Sequence, residues 1–344
     1  SKALSIASRF TSPKIQLPVL ANVLFKSYKN RLLICATNLE ISVALQIGAK
    51  VEEEGDITIP SRVIADLVSN LGGGQIQISA EKEKLKIKRE GFESIVSGMN
   101  SSDFPKIPTS MEKKGLKIST TDLSQALSQV LFSVSVDETR PVLTGVLVII
   151  KKGELTLIST DGFRLSQKQV KIEGVKDEIK VILPKSALGE LVRLFDEEPE
   201  VEFSFNKEEN QAIFSVSSCV LASRIIEGEF PDFERIIPKK SVIKISIDRE
   251  DFLRGVKLAS IFARDSANVV KLKIGQGAIE LSAESSQFGN QKMSVDARVE
   301  DEEGLTKKDF TIAFNFRFLE DFLNSIKGES VQIGFSDSNS PAIF

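Results

Sequence analysis

The sequence contains no histidine and no tryptophan, one tyrosine, and two cysteines among 344 residues. Without histidine, the chain cannot build a Ser-His-Asp or Cys-His nucleophilic site, and imidazole cannot serve as a metal ligand. Two cysteines, Cys35 and Cys219, are too few for a disulfide framework and indicate a reducing compartment. We expect both to be small buried apolar side chains. The composition therefore argues against the commonest hydrolytic and metal-dependent activities.

Long apolar runs are absent as well. No stretch approaches the roughly 20 residues that a membrane-spanning helix needs, and no signal peptide is recognisable, so we expect a cytoplasmic protein. Hydrophobic residues make up 41% and charged residues 27% of the chain, as in ordinary soluble domains. The net charge of −3 gives no overall indication of nucleic-acid binding, and 344 residues allow two or three domains.

What the sequence does contain is a repeat. Pro18 recurs as Pro141 and Phe104 as Phe230, and the motifs between them recur in the same order at nearly constant spacing. Each copy is too long for a solenoid unit and long enough for a domain. The matching pairs are Leu17-Pro18-Val19-Leu20 with Arg140-Pro141-Val142-Leu143, Ala36-Thr37-Asn38 with Ser159-Thr160-Asp161, Ile59-Pro60-Ser61 with Leu183-Pro184-Lys185, and Asp103-Phe104-Pro105 with Glu229-Phe230-Pro231.

The second copy predicts two helices packed on short strands. Apolar residues at helical spacing indicate a first helix from Thr121 or Asp122 to about Phe132. Pro184 opens a second helix, where its missing N–H does no harm. An apolar strand running from Val142 to Ile150 follows the first helix, and a meander of three strands follows the second. This pattern is typical of an α+β domain.

The first copy shows the same plan, and the segment after about Ser241 keeps it with weaker similarity. There, apolar periodicity predicts helices over residues 248–264 and 315–326. We therefore predict an α+β fold made of three copies of a two-helix, β-rich domain. The predicted domains span residues 1–110, 111–240 and 241–344.

Patterns that could carry catalytic chemistry are weak. Three acidic clusters begin at Glu52, Asp196 and Asp301, and each lies beside glycine or proline, which is typical of a solvated loop. Gly72-Gly73-Gly74 ends a helix and lacks the Gly-Lys-Ser/Thr of a phosphate-binding loop. We therefore predict no catalytic residue, no metal site and no cofactor.

The loop Asp161-Gly162-Phe163-Arg164-Leu165 follows a predicted strand. A tight turn is sufficient to explain its glycine. The functional alternative is a loop that displays an aromatic ring and a cation beside an apolar strand, with Leu143 of a neighbouring strand completing a surface pocket. The pattern alone leaves both interpretations open.

Cations lie opposite the apolar stripes of the predicted helices. On any single helix they indicate an ordinary solvated face. If repeated domains close a ring with their helices inward, the same cations line a channel and contact phosphates without reading sequence, which permits sliding. These cations are Arg62, Lys185, Arg193, Arg249, Arg254, Lys257 and Arg317.

Longer motifs carry a resemblance to a known family. They are Asp137-Glu138-Thr139-Arg140-Pro141-Val142-Leu143-Thr144-Gly145, Thr160-Asp161-Gly162-Phe163-Arg164-Leu165, Gly228-Glu229-Phe230-Pro231-Asp232-Phe233 and Phe262-Ala263-Arg264-Asp265. Through these motifs, and over essentially its whole length, the chain closely resembles the bacterial DNA polymerase III β subunits, the replication sliding clamps.

The resemblance implies a non-catalytic processivity factor. In this family two chains join head to tail, the first domain of one against the third of the other, and the ring encircles duplex DNA with helices lining the hole. The implied partners are duplex DNA, bound without sequence preference, and a second copy of the chain. The replicative polymerase alpha subunit, the clamp loader and repair proteins are implied to bind through short apolar peptides. The resemblance implies a cytoplasmic protein that associates with the nucleoid during replication.

The family also implies a peptide groove between the second and third domains. Apolar walls take the Leu or Phe anchors of the peptide, and polar rims fix its direction. Phe163 stands where many relatives carry a histidine. Lys14 matches a DNA-contacting position, and Phe262 and Ala263 match the helix at the ring interface. The groove residues carried over are Leu143, Thr160, Gly162, Phe163, Arg164, Leu165, Pro231, Arg235, Ile236, Asn315 and Phe318.

Compared with this family, the sequence begins inside the first helix and ends before a short apolar segment that forms one wall of the groove. Whether these segments exist in the native protein stays open at this point, and peptide affinity and edge-strand pairing both depend on them. Two rival interpretations stay open at this point. One is a repeat-built enzyme with a small-molecule cleft, and the other is a scaffold that binds proteins but not DNA.

Overall fold

The computed structural model describes residues 1–12, 17–111, 114–174, 178–196, 198–308 and 310–344. The chain forms two compact units. Unit 1 consists of Ser1–Leu127, Val134–Ser159 and Gln167–Gly228, and unit 2 consists of Ser128–Ser133, Thr160–Ser166 and Glu229–Phe344. Two short segments of the second repeat therefore belong to the unit that holds the third.

The helices of the first two repeats lie in unit 1, apart from the last residue of one of them. Each helix buries an apolar stripe, and Ile64 and Leu188, at matching positions of the two repeats, are almost fully buried. Burying such a side chain stabilises the fold by about 2 kcal/mol. The helices are α1 (Lys2–Ser8), α2 (Ser61–Asn70), α3 (Thr120–Ser128) and α4 (Lys185–Leu194).

The strands of these repeats alternate with short turns. Those of the first repeat are β1 (Asn22–Tyr28), β2 (Arg31–Thr37), β3 (Ile41–Gly48), β4 (Gly55–Pro60), β5 (Gln77–Glu81), β6 (Lys84–Arg89) and β7 (Phe92–Ser97). Those of the second are β8 (Leu116–Ser119), β9 (Gly145–Lys151), β10 (Glu154–Thr160), β11 (Leu165–Lys171), β12 (Ile179–Pro184), β13 (Glu200–Asn206), β14 (Gln211–Val216) and β15 (Cys219–Arg224).

Both repeats use one strand plan. The order β4-β1-β2-β3 in the first repeat has the counterpart β12-β9-β10-β11 in the second, and β5-β6-β7 has the counterpart β13-β14-β15. The repeats are joined where β3 pairs antiparallel with β15, from Ile41 opposite Ser223 to Leu45 opposite Cys219. This β3–β15 junction makes one sheet of eight strands, ordered β4-β1-β2-β3-β15-β14-β13-β8. Backbone hydrogen bonds therefore run from one repeat into the next.

The two cysteines lie in this sheet. Cys35 is in β2 and Cys219 is in β15, and both are buried and free. Burial raises the pKa of each thiol to about 12. Both thiols are therefore protonated and unreactive at neutral pH, and the expectation of buried apolar cysteines is confirmed.

The third repeat follows the same plan in unit 2. Its elements are β16 (Ile243–Asp248), α5 (Arg249–Ala263), β17 (Val269–Ile274), β18 (Ala278–Ser285), β19 (Gly289–Asp301), β20 (Thr311–Asn315), α6 (Phe316–Ser325) and β21 (Ser330–Phe335). The strand order is β20-β17-β18-β19-β16-β21. Residues 289–296 of β19 pair with β18, and residues 297–301 pair with β16. Both helices pack on this sheet, with Phe252, Val256 and Leu323 fully buried.

Two predicted boundaries in the second repeat are wrong. The helix expected to reach Phe132 ends at Ser128, and a 3-10 turn over Leu131–Ser133 follows it. The strand expected from Val142 begins at Gly145, because Pro141–Leu143 forms a 3-10 turn whose first φ angle is fixed by the proline ring. The apolar spacing of the sequence continues through both 3-10 turns, so it did not distinguish them from the adjacent helix and strand.

The loop between β2 and β3 holds a leucine in the left-handed conformation. Leu39 has a φ of +78° and an exposed side chain. Its N–H donates to Thr37 Oγ1 at 3.0 Å, and the N–H groups of Glu40 and Ile41 donate to Asn38 Oδ1 at 3.0 and 2.9 Å. A residue with a Cβ pays about 1 kcal/mol for this conformation. The hydrogen bonds of the loop therefore hold Leu39 against its backbone preference.

We predict that Leu39→Gly raises the melting temperature by about 1–2 °C. Glycine adopts this conformation without strain, and that gain exceeds its larger loss of backbone entropy on folding. Leu39→Ala is the matched control, because it removes the exposed side chain and keeps the strain. Differential scanning calorimetry of both variants makes the comparison, and a glycine variant that melts below the alanine variant would contradict the prediction.

Candidate partner-binding site

The loop after β10 is fixed by its own polar side chains. Thr160 Oγ1 accepts the Gly162 N–H at 3.0 Å and donates to the Arg164 carbonyl at 2.7 Å. Asp161 Oδ1 accepts the N–H groups of Phe163 and Arg164 at 2.9 and 3.0 Å. Gly162 has a φ of +94°, which glycine adopts freely. The loop therefore presents its side chains from a rigid turn, as both sequence interpretations required.

Arg164 is the centre of this site. Its Nε donates to Asp161 Oδ2 at 2.9 Å, its Nη1 to Asp321 Oδ2 at 2.7 Å and its Nη2 to the Phe132 carbonyl at 2.6 Å. The guanidinium carbon lies 5.2 Å from the ring centroid of Phe132 and 4.4 Å from that of Phe318. Such stacking on aromatic faces adds to the charge-assisted hydrogen bonds. The side chain is only 19% exposed, so its charge is already satisfied within unit 2.

Phe163, beside this centre, points into solvent and is 83% exposed. Its backbone is held by Asp161, so the ring is exposed from a fixed position and not from a mobile tail. A rigid exposed aromatic ring loses little conformational entropy on contact with a partner, which suits it to act as an anchor.

The remaining predicted groove residues differ in how available they are. Arg235 and Ile236 are exposed, and Arg235 pairs with Asp232 at 2.7 Å. Asn315 caps α6 by accepting the Arg317 N–H at 3.0 Å, so this side-chain oxygen is engaged. Among the other predicted groove residues, Pro231 and Gly162 are exposed, and Leu165 and Phe318 are half-buried. Thr160 is buried, and Leu143, which belongs to unit 1, is only 5% exposed. Of the predicted set, the structure brings Arg164 and Phe318 into direct contact.

Sequence reasoning missed two members of this centre, Phe132 and Asp321. Phe132 was expected to end a helix, where an aromatic residue indicates core packing. Asp321 lies three residues after Phe318, and residues at that spacing share one face of a helix. That spacing was a usable signal, because it placed an acid beside a ring already predicted for the groove.

The predicted DNA-facing cations are exposed on their helices. Arg193 pairs with Glu190 at 2.6 Å and Arg254 with Asp251 at 3.2 Å, each on its own helix. Arg249 is a correction, because it is half-buried and its Nη1 donates to the Leu323 carbonyl at 3.1 Å. Lys14 lies outside the described residues. The other exposed cations are Arg62, Lys185, Lys257 and Arg317.

The second helix of each repeat begins with positive charge. The first turns of α2, α4 and α6 contain Arg62, Lys185 and Arg317, and none of the three contains an acid. The helix dipole favours acids at this end, so these cations do not serve helix stability. Cations added to exposed helix N-termini create positive sites that suit phosphate groups.

The predicted interface residues on α5 need a correction. Ala263 is fully buried in the core of unit 2, so its methyl group cannot reach a partner chain. Phe262 is half-buried, whereas Leu258 and Ile261 are exposed on the same helix. Leu258 and Ile261, with part of Phe262, are therefore the accessible apolar side chains of this helix.

The described residues give little support for a metal site or for acid–base chemistry at the acidic clusters. Asp301, the first of an acidic cluster, accepts the N–H groups of Leu305 and Thr306 at 3.1 and 2.8 Å. Desolvation raises the pKa of this carboxyl, but the hydrogen bonds from Thr306 and its neighbours outweigh that effect and bring the pKa to about 2. The described part of the chain contains no group of histidine, cysteine, aspartate or glutamate side chains that could hold a metal ion. Over the same part, no helix is long and apolar enough to cross a membrane.

Family models match three consecutive parts of the chain. They describe the N-terminal domain of the DNA polymerase III beta subunit at residues 1–108, its central domain at residues 117–232 and its C-terminal domain at residues 234–344. The expectation of a three-domain fold with mixed helices and sheets is therefore confirmed.

Individual relatives agree with the family models. The beta sliding clamp of Staphylococcus aureus (strain N315) is 31% identical over 343 residues, covering 96% of this chain and 89% of that protein. The crystal structure of the DNA polymerase III beta subunit from Thermotoga maritima has a TM-score of 0.88 at 27% identity and covers 98% of this chain and 91% of that chain. The DNA polymerase sliding clamp from Pseudomonas aeruginosa has a TM-score of 0.90 at 26% identity, with coverage of 99% and 91%. The chain therefore belongs to the DNA polymerase III beta subunit family, the bacterial sliding clamps, and is a non-catalytic protein of DNA replication.

Proposed function

We propose that two copies of this chain close head to tail into a ring around duplex DNA and tether partner proteins through short apolar peptides. Each chain supplies three copies of a two-helix domain, over residues 1–110, 111–240 and 241–344. A closed ring needs no tight affinity for DNA, because topology keeps it on the duplex. A polymerase tethered to it then stays near its primer at high effective concentration.

The observation that carries this proposal is a matched pair of unpaired strand edges. The counterpart of β3 in the third repeat is β19, and the counterpart of β15 in the first repeat is β7. Within the described ranges, β7 pairs only with β6, and residues 289–296 of β19 pair only with β18. Unpaired edges are templates for pairing with another chain. β7 of one chain and β19 of a second copy can therefore repeat the β3–β15 junction between chains.

Exposed apolar side chains lie on β7 itself, on α5, which packs against β19, and on α2 of the first repeat. Ile95 on β7 is 58% exposed, and Ile261 on α5 is 55% exposed. Leu258 on α5 and Val63 on α2 are exposed as well. Single exposed apolar residues are ordinary, but residues on both complementary elements favour a shared interface. We therefore place Leu258, Ile261 and Phe262 of one chain against α2 and β7 of the second.

The charge of the second helices supports a DNA-facing surface. Arg62, Lys185 and Arg317 stand at helix starts that attract phosphate, and Arg193, Arg254 and Lys257 lie further along helix surfaces. Contacts of this kind carry no sequence information and weaken with salt, as sliding requires. A net charge of −3 is compatible with this proposal, because acids elsewhere on the surface offset the cations.

We assign the peptide site to the surface around the loop of residues 160–165. Phe163 supplies an exposed aromatic contact, and Ile236 and Phe318 supply further apolar surface in the same unit. Arg235, Pro231 and Asn315 belong to the proposed rim. A peptide with adjacent Leu and Phe side chains fits this chemistry, because apolar anchors carry most of the affinity and polar rims give direction.

We predict that Ile261→Asp abolishes retention of the protein on circular DNA. A charge at the proposed chain interface loses its hydration on pairing and prevents ring closure. Val136→Asp is the matched control, because Val136 is even more exposed and lies on neither edge. The measurement is gel filtration of protein loaded by a clamp loader onto nicked plasmid, before and after linearisation. Wild-type protein released equally from circular and linear DNA would contradict the ring.

We predict that Phe163→Ala weakens binding of a synthetic peptide with adjacent Leu and Phe anchors by about tenfold, a loss typical of one aromatic anchor. The variant keeps its fold because the side chain is exposed. Phe288→Ala, at the exposed tip between β18 and β19, removes the same side chain elsewhere and is expected to leave affinity unchanged. Fluorescence anisotropy gives both dissociation constants. Equal affinity of Phe163→Ala and wild type would remove the loop from the site.

A further inference from the structure

The second helix of every repeat carries an acid at the same position. Each acid stands two residues after a buried aliphatic side chain that anchors the helix in its core. The acids and their anchors are Asp66 after Ile64 in α2, Glu190 after Leu188 in α4, and Asp321 after Leu319 in α6. Three matching acids in helices of otherwise different sequence suggest a shared structural task.

Two of these acids each receive an arginine from the preceding repeat. Glu190 Oε2 accepts Arg9 Nε at 2.6 Å, and Asp321 Oδ2 accepts Arg164 Nη1 at 2.7 Å. The Glu190 side chain is only 13% exposed, so its pair with Arg9 is shielded from solvent more than a surface ion pair is. Arg9 and Glu190 connect the same two repeats that the β3–β15 junction joins. In the second and third repeats, the acid of the second helix therefore pairs with an arginine of the preceding repeat.

The third acid has no such partner within its own chain. Asp66 is exposed, and in the described ranges its carboxylate makes no ion pair. The repeat that would precede the first is the third repeat of a second copy, across the proposed pairing of β7 with β19. Its cation must therefore come from that copy.

Arg264 is the cation at the corresponding end of the first helix of the third repeat. Arg9 is the C-cap residue of α1, and Arg264 is the C-cap residue of α5, the first helix of the third repeat. Arg264 is exposed, and it lies three residues after Ile261, on the face that we place at the chain interface. No ion pair is formed by Arg264 among the described residues. Arg254, by contrast, is already paired with Asp251 on its own helix.

We propose that Asp66 of one chain pairs with Arg264 of the second chain, as the intermolecular counterpart of Glu190 with Arg9. This inference rests on the proposed ring. Backbone pairing between two strand edges tolerates slippage by two residues, because such a slip keeps every side chain on its face. An ion pair between α2 and α5, which belong to the same two repeats as those strands, selects one register. The pair therefore aligns the chains as they close.

The test is a charge exchange measured on the full chain. Asp66→Arg and Arg264→Asp are each expected to weaken the dimer by about tenfold or more, because each replaces an attraction with a repulsion. A double variant that carries both changes in one chain is expected to recover most of the affinity, since each interface again joins opposite charges. Sedimentation velocity over a dilution series gives the dissociation constants. Asp103→Arg, an exposed acid outside α2, is the matched control and is expected to leave dimerisation unchanged.

Neutral variants keep the test interpretable if a reversed charge disturbs folding. Asp66→Asn and Arg264→Gln are expected to weaken the dimer less than the reversals, and equally in the single and double variants. A dimeric wild type whose single variants lose no affinity, or whose double variant shows only the summed loss, would overturn the ion pair and leave the ring intact. A wild type that is monomeric throughout the series would overturn both proposals.

Discussion

Backbone pairing between the first and second repeats is the constraint on which this architecture depends. β3 of the first repeat finds its second neighbour in β15 of the second, so neither repeat completes its sheet alone. An exposed strand edge leaves unpaired donors and acceptors and invites uncontrolled association. Within the described ranges, β7 and the first part of β19 each keep an unpaired edge, at the positions that β15 and β3 occupy in this junction. The closure with a second copy that we propose would pair these two edges, because a head-to-tail interface whose rotation closes gives a ring.

The repeats keep their loop geometry and change the side chains that the loops present. Thr37 with Asn38 and Thr160 with Asp161 make the same pattern of hydrogen bonds to the next backbone N–H groups. Leu39 and Gly162 occupy the left-handed position in the two copies. The contacts differ at the last position of the loop: Ile41 is buried, whereas Arg164 reaches two carboxylates and two aromatic rings. The second copy thus turns a structural loop into a rigid platform for Phe163.

Much of the fold could be predicted from the sequence. The Pro-Val-Leu and Phe-Pro motifs revealed the first two copies, and apolar stripes located the helices of all three, because periodicity reports burial directly. The 3-10 turns at Leu131 and Pro141 were missed, since apolar spacing continues through them. The pairing of β3 with β15 was also missed, because it joins strands far apart in sequence and no pattern within either strand indicates its partner.

The sequence predicted the loop of the candidate site, but it did not predict the residues that contact Arg164. The glycine, aromatic and cation of residues 162–164 were visible as a pattern, but the partners that hold Arg164 come from segments far away in sequence, at Phe132 and Asp321. Ala263, by contrast, was predicted as a site residue, and the structure contradicts that prediction. The resemblance predicted it at the chain interface, whereas its burial in the core leaves Leu258 and Ile261 as the exposed apolar residues of that helix.

The most direct test of the central claim is the mass of the wild-type chain in solution at micromolar concentration, measured by sedimentation equilibrium. Complementary edges that close on each other predict a single species of twice 37.8 kDa that does not grow as concentration rises. A monomer at every concentration would show that β7 and β19 do not pair. A series of ever larger species would show that they pair without closing, and either result would contradict the ring.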